Sequence, residues 1–295
     1  MPEIVFIVPA RNLDTLHRTL SMLSFQKERG FRTVVADLSG SDAASAVAAD
    51  FEHRLPVSTV AIEPSGDPLW KCCLEAVPDS EWVCFLGPDV DLGATAVGRM
   101  GKCIADHEGY NAFRWILAEP YRKPGLKTRA DKLVLSVFVD GGEAPLSVFV
   151  FRAATLREAF AADPDAAGMD LAVILSGAKE TGVRTVRWER VTYRKPETPV
   201  DPALVEKEVR SRLAFFRWSE RFFGDDYPLG TGDRLALFAG ELARLYPSFT
   251  PEELKEDLNT FAVVNGPIRR MKASSALKAA LKARQETLTT PAAEK

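Results

Sequence analysis

The chain has 295 residues and a formal charge of only −3, which is enough material for one large α/β domain, with or without a smaller appendage. It lacks the global basic field that would hold a polyanion such as nucleic acid, so small-molecule chemistry is the better expectation. Four cysteines, at positions 72, 73, 84 and 103, form neither a disulfide framework nor zinc-ligand spacing, which suits a reducing compartment.

The opening IVFIVPA is too short for a signal peptide and lacks its basic flank, and no apolar stretch reaches membrane length. A cytoplasmic, soluble protein is expected. Residues 3–8 (EIVFIV) form a continuous β-branched and aromatic run ending at Pro9, the pattern of a strand buried on both faces. From Leu13 to Arg29, Leu16, Leu20, Met22 and Leu23 recur at helical spacing before Gly30, which predicts a helix. A second strand follows at 32–36, then an alanine-rich helix to about Phe51, a third strand at 56–62, a helix at 69–77 and a fourth strand at 81–86. Strand and helix alternate four times, which predicts right-handed crossovers and a mostly parallel sheet flanked by helices. In such sheets ligands bind beyond the carboxyl ends of the strands.

The chemistry-bearing residues fall there. Pro9-Ala10-Arg11-Asn12 follows strand one, Asp37, Ser39, Ser41 and Asp42 follow strand two, and Asp89 and Asp91 follow strand four. In an extended segment the two acids share a face with Val90 turned inward. Carboxylates so placed suit Mg2+ or Mn2+, with substrate phosphates and waters completing the shell; they also suit a polar turn with a helix cap. No glycine-rich dinucleotide loop, Walker-type phosphate loop or G-x-S-x-G elbow is present, so those enzyme classes lose their main support. His17, His53 and His107 have no partners at ligand spacing and read as surface residues.

Residues 4–42, IVFIVPARNLDTLHRTLSMLSFQKERGFRTVVADLSGSD, resemble the opening of the family 2 glycosyltransferases: a strand, a P-x-x-N turn, an "L-x-S-L-x-x-Q" helix and a second strand ending in a V-D-D-G-S segment. The likeness runs through about the first 195 residues and implies a GT-A fold and inverting transfer from a nucleoside-diphosphate sugar, UDP-linked by expectation. By that resemblance Asp37 holds the nucleobase, and the donor is bound by Pro9, Arg11, Asn12, Asp37, Lys71 and Asp89. WVCFLGPDVD is similar to the family's "Y-I-x-F-L-D-x-D-D" stretch, which places the metal-facing acid at Asp89; Asp91 lies two residues beyond the family's last acid and is the candidate second ligand. Gly87 stands where the family has its first aspartate, and Ala36 and Leu38 depart from the V-D-D-G-S segment.

Residues 144–160 read as a strand followed by a helix and resemble the family element that closes the acceptor side. The next helix and final strand carry the family's catalytic base over to Asp170, with Met169 in place of the usual glutamate. The residue-level alternative for Asp170 is an N-cap to a helix beginning at Leu171. Arg187, Arg190, Arg194 and Lys195 lie downstream, as assistants to a leaving diphosphate or as a solvated strand edge.

Residues 109–143 mix tryptophan, tyrosine and cations, a composition suited to sugar stacking but better read as an amphipathic loop over the sheet. From about residue 201 onward the pattern is helical, giving domains at 1–200 and 201–295. Helices are expected around residues 202–224, 234–245 and 251–264. The stretch from Arg269 to Glu286 carries six cations against one acid, as a frayed end or as a peripheral contact with an anionic membrane at its inner face. Two readings result. One is a metal-assisted hexosyltransferase acting on a glycan or lipid-linked acceptor in polysaccharide synthesis; the other is a catalytically lapsed relative that binds nucleotide-sugar or glycan, or scaffolds envelope enzymes.

Overall fold

A computed structural model describes residues 2–38, 42–62, 68–118, 127–133 and 145–194, together with 214–215, 218–219 and 221–224; side chains of residues 187–190 fall outside that description. The chain divides into two compact units, Met1–Pro196 and Glu197–Lys295.

The first unit opens with β1 (Ile4–Ala10), α1 (Leu13–Ser24), β2 (Phe31–Asp37), α2 (Ala43–Ala49), β3 (Val57–Ala61), α3 (Leu69–Glu75) and β4 (Trp82–Phe85). Residues 4–8 of β1 are all buried, which is why the sequence shows an unbroken apolar run rather than an alternation. Asn12 starts α1 by accepting the backbone N–H groups of Asp14 and Thr15 on its side-chain oxygen, at 2.9 and 3.1 Å, replacing bonds the first helical turn cannot make internally. The helix stops at Ser24 rather than Arg29. Two residues later the buried Gln26 donates to the Gly93 carbonyl at 2.9 Å and accepts from Val97 N–H at 3.3 Å. That docking turns the chain away from a helical path.

The remaining elements are β5 (Val90–Asp91), α4 (Ala96–Asp106), β6 (Ala112–Leu117), β7 (Lys127–Thr128), a 3-10 turn (Leu146–Val148), β8 (Phe149–Arg152), α5 (Ala153–Ala162), a second 3-10 turn (Pro164–Gly168), α6 (Asp170–Ala178) and β9 (Val183–Tyr193). Among the described residues the strands form one sheet in the order β3-β2-β1-β4-β8-β6-β9-β5, with β7 also on β9. The β3-β2-β1-β4 half is parallel throughout. Beyond it β8 runs antiparallel to both β4 and β6, β6 is parallel to β9, and the short β5 and β7 are antiparallel to β9.

One expectation is corrected here: residues 112–117 are not a loop over the sheet but strand β6 within it, paired to β8 and β9. Phe113 and Trp115 are buried in the core, and the Trp115 indole donates to the Ala96 carbonyl at 3.1 Å, which removes that ring from sugar stacking. Arg114 is accommodated because its guanidinium reaches the hydroxyls of Thr185 and Thr128 at 3.2 and 2.7 Å. Burial lowers its pKa to about 10. His107 is likewise not a free surface residue: it is half-buried, with Nδ1 3.0 Å from the Cys103 carbonyl and Nε2 2.8 Å from Arg184.

Described residues of the second unit are helical, with the Trp218 ring stacked on Phe222 at 4.7 Å and Phe222 edge-to-face with Phe223 at 4.9 Å between centroids. The expected helices at 234–245 and 251–264, the basic stretch at 269–286, and Leu213, Phe216, Ser39, Ser41 and Lys195 lie outside the described residues. So do residues 119–126 and 134–143 of the loop expected over residues 109–143.

Candidate active site

Three neighbouring parallel strands deliver the site to one rim. In β1 and β2 Ala10 pairs with Asp37, and in β1 and β4 Ile7 pairs with Phe85, a register continued where Leu86 N–H donates to the Ile7 carbonyl at 2.9 Å. Arg11, Asp37 and the Gly87-Pro88-Asp89 turn therefore leave the sheet from the carboxyl ends of adjacent strands. Asp37 is buried at the end of β2, and its carbonyl accepts Ile62 N–H at 2.9 Å. Pro9 is half-buried next to Ala10, and Arg11 and Asn12 are exposed beyond it.

Asp89 folds back toward the sheet. Its Oδ1 accepts the Ser147 hydroxyl at 2.9 Å, and the Ser147 oxygen accepts Gly87 N–H at 2.9 Å. The Asp89 carbonyl accepts Arg194 N–H at 2.7 Å, tying the turn to the end of β9. A Cβ at position 87 would lie 2.4 Å from Asp89 Oδ1, far inside contact distance, and a tight 3.0 Å from Ser147 Oγ. The departure from the family pattern at Gly87 thus has a local reason: this pose of Asp89 requires a bare α-carbon. Burial raises the Asp89 pKa above its ordinary value, and the Ser147 hydroxyl offsets part of that.

Asp170 is the first residue of α6, and the N-cap position belongs to Met169, whose side chain makes no capping bond. The carboxylate engages a partner from another element instead. Trp70, in the first turn of α3, donates its indole N–H to Asp170 Oδ1 at 2.8 Å, while its ring lies 4.9 Å from that of Phe85. Asp170 is open to solvent, yet protein surrounds it closely enough that desolvation raises its pKa. The Trp70 hydrogen bond and the Arg11 charge pull the pKa down, and the negative charge of Asp89 pushes it up. Asp170, Asp89 and Arg11 thus share one electrostatic neighbourhood. Behind them Cys73 is buried, its thiol pushed up to about 12, and serves as packing rather than as a nucleophile.

Asp91 is held differently. It pairs with Thr192 across β5 and β9, its Oδ2 accepts from the Arg194 guanidinium, and Arg18 of α1 approaches Oδ1 at 3.7 Å. Val90 between the two acids is buried. Among the described residues no three His, Cys, Asp or Glu side chains gather at metal-binding spacing. A hard divalent ion needs only one or two protein carboxylates when a diphosphate and waters supply the rest. Asp89 fits that role in charge: Ser147 and its own backbone N–H orient the carboxylate, and a neighbouring cation would relieve the burial penalty. Asp91 joins the shell only by exchanging its arginine partners for the ion. Lys71 sits one residue after Trp70, with Nζ 3.9 Å from Glu75 Oε1. Trp70 and Ser147 were not evident from the sequence; the sole trace of Trp70 is an aromatic in a helix's first turn after Pro68, and Ser147 left none.

No protein-family model matches the chain, and no curated protein matches it by sequence. Solved structures do share its fold. S. aureus TarS 1-349 in complex with UDP-GlcNAc is 13% identical with a TM-score of 0.53, over 97% of this chain and 92% of that one. The mannosyltransferase PcManGT from Pyrobaculum calidifontis, in complex with GDP-Man and Mn2+, is 15% identical with a TM-score of 0.53, over 96% of this chain and 87% of that one. At these identities the likeness establishes architecture: the chain has the GT-A-like fold of glycosyltransferases, a central sheet flanked by helices.

Proposed function

We propose that the chain is an inverting glycosyltransferase that moves a hexosyl group from a nucleoside-diphosphate sugar, UDP-linked, to a glycan or lipid-linked acceptor. The observation that carries this reading is the placement of Asp37, Arg11 and Asp89 at the carboxyl ends of adjacent strands, with Arg11 and Asp89 within electrostatic reach of Asp170. Asp37, Pro9 and Asn12 border the nucleoside, and Arg11 and Lys71 face the diphosphate. A divalent ion, Mn2+ or Mg2+, bound at Asp89 with Asp91 would supply positive charge to the leaving diphosphate.

Asp170 is the general base. It takes the proton of the acceptor hydroxyl while that oxygen's lone pair forms the bond to the anomeric carbon. The bond from that carbon to the diphosphate oxygen breaks on the opposite face, its electron pair leaving with the diphosphate, and Arg11 stabilises the charge that develops. A base whose pKa is raised by its surroundings is better matched to proton abstraction near neutrality than an ordinary carboxylate.

Synthesis of an envelope polysaccharide or glycoconjugate is the proposed setting, on the cytoplasmic side of the membrane, with the basic 269–286 stretch as a peripheral contact. No helix among the described residues is long and apolar enough to cross a membrane. The pairing of Asp91 with two guanidinium groups favours a second reading, a chain that binds the sugar nucleotide without turning it over.

A thermal-shift panel of UDP and GDP, with and without Mn2+, tests the proposal. UDP should raise the melting temperature only with the metal, and Asp89→Ala should remove the effect. Asp170→Asn should keep the shift and lose transfer; indifference to every nucleotide contradicts both readings.

A further inference from the structure

We propose that Trp70 is the positioning residue for Asp170: its indole N–H holds Oδ1, which turns Oδ2 toward the acceptor hydroxyl. This rests on the role of Asp170 proposed above. A carboxylate at the first position of a helix, open to solvent, has several competing orientations, including rotation toward the free N–H groups of its own helix end. The 2.8 Å bond from Trp70 selects one of them.

The donor is itself well anchored. Its ring lies 4.9 Å from Phe85, the last residue of β4, and α3 packs on the Pro164–Gly168 turn that leads into α6. The same contact brings Pro68, just before α3, within 3.9 Å of where a Cβ on Gly168 would stand. Both partners of the hydrogen bond are thereby fixed to the same scaffold, the condition under which a side chain can orient a reacting group rather than merely touch it. An indole offers one donor and no acceptor, so Trp70 can hold the ionised base but cannot take its proton. The charged groups acting on Asp170 from the neighbouring strand ends are Arg11 and Asp89.

Trp70→Phe keeps a ring against Phe85 and deletes the N–H. With UDP-sugar and acceptor, kcat should fall about ten- to a hundredfold, as for a slightly misplaced base, while the donor KM stays within about twofold. Loss of a bond to the ionised form should also move the acid limb of the kcat profile to higher pH. Trp70→His, which retains a ring N–H, should recover part of kcat. In the nucleotide-free chain, an NMR titration of the Asp170 carboxyl should shift upward in Trp70→Phe.

An unchanged kcat in Trp70→Phe, equal losses in the Phe and His variants, or an unmoved carboxyl titration would overturn the proposal. A wild-type chain that turns over no sugar nucleotide would overturn the glycosyltransferase reading, and the titration would still decide whether Trp70 governs Asp170.

Discussion

A methyl group at position 87 would stand 2.4 Å from Asp89 Oδ1, so Gly87→Ala should push the carboxylate off Ser147 and misplace the proposed ion ligand. Removing the hydrogen bond that orients a metal ligand typically weakens metal affinity about ten- to a hundredfold, which predicts that much poorer affinity for Mn2+ with UDP, measured by calorimetry; unaltered affinity would show that Asp89 does not need this pose. Asp170 supports a prediction in pH. Its folded-state pKa is raised, so in the window between the ordinary and the raised value the unfolded chain has already released the proton that the folded chain keeps. Stability from this group is therefore full below the ordinary carboxylate value and is lost as pH rises through the raised one. Asp170→Asn should melt like the wild type near pH 3, below about 3.9, and at a higher temperature at pH 7. A higher melting temperature for the variant at both pH values would assign the gain to packing instead.

At the scale of elements, α6 carries Asp170 and lies against β8 through Gly177, where an added Cβ would meet the Phe151 ring at 2.3 Å. Phe151 is buried and stacked on Phe149 at 5.9 Å, so it cannot yield cheaply. Gly177→Val should cost about 2 to 3 kcal/mol by overpacking, read as a lower denaturation midpoint, with transfer reduced further as the helix tilts away from Trp70. A variant as stable as the wild type would mean that the contact is slack. Strands β1 to β4 were legible in the sequence because each is a β-branched apolar run bounded by turn residues. β6 was not, because Arg114 interrupts it with a charge whose threonine partners come from β7 and β9. β5 and β7 are two residues each, too short to carry a period. The rim acids could be named from position alone, since strand ends mark where parallel sheets bind ligands. Trp70 and Ser147 could not, because their partners lie 100 and 58 residues away in the chain.

For the whole molecule, a net charge of −3 leaves no general field to attract a diphosphate, so the binding energy has to come from a local arrangement of Arg11, Lys71 and an ion at Asp89. Affinity for the donor should accordingly depend more on the metal than on ionic strength. The fold shared with TarS and PcManGT provides the frame, and the residues along its rim decide what the frame does. The most direct measurement is a crystal structure of the chain with UDP and Mn2+. In it the nucleobase should lie against Asp37, the diphosphate beside Arg11 and the ion on Asp89, with Asp170 facing the acceptor side. A nucleotide seated away from the carboxyl ends of β1, β2 and β4, or an ion bound without Asp89, would contradict it.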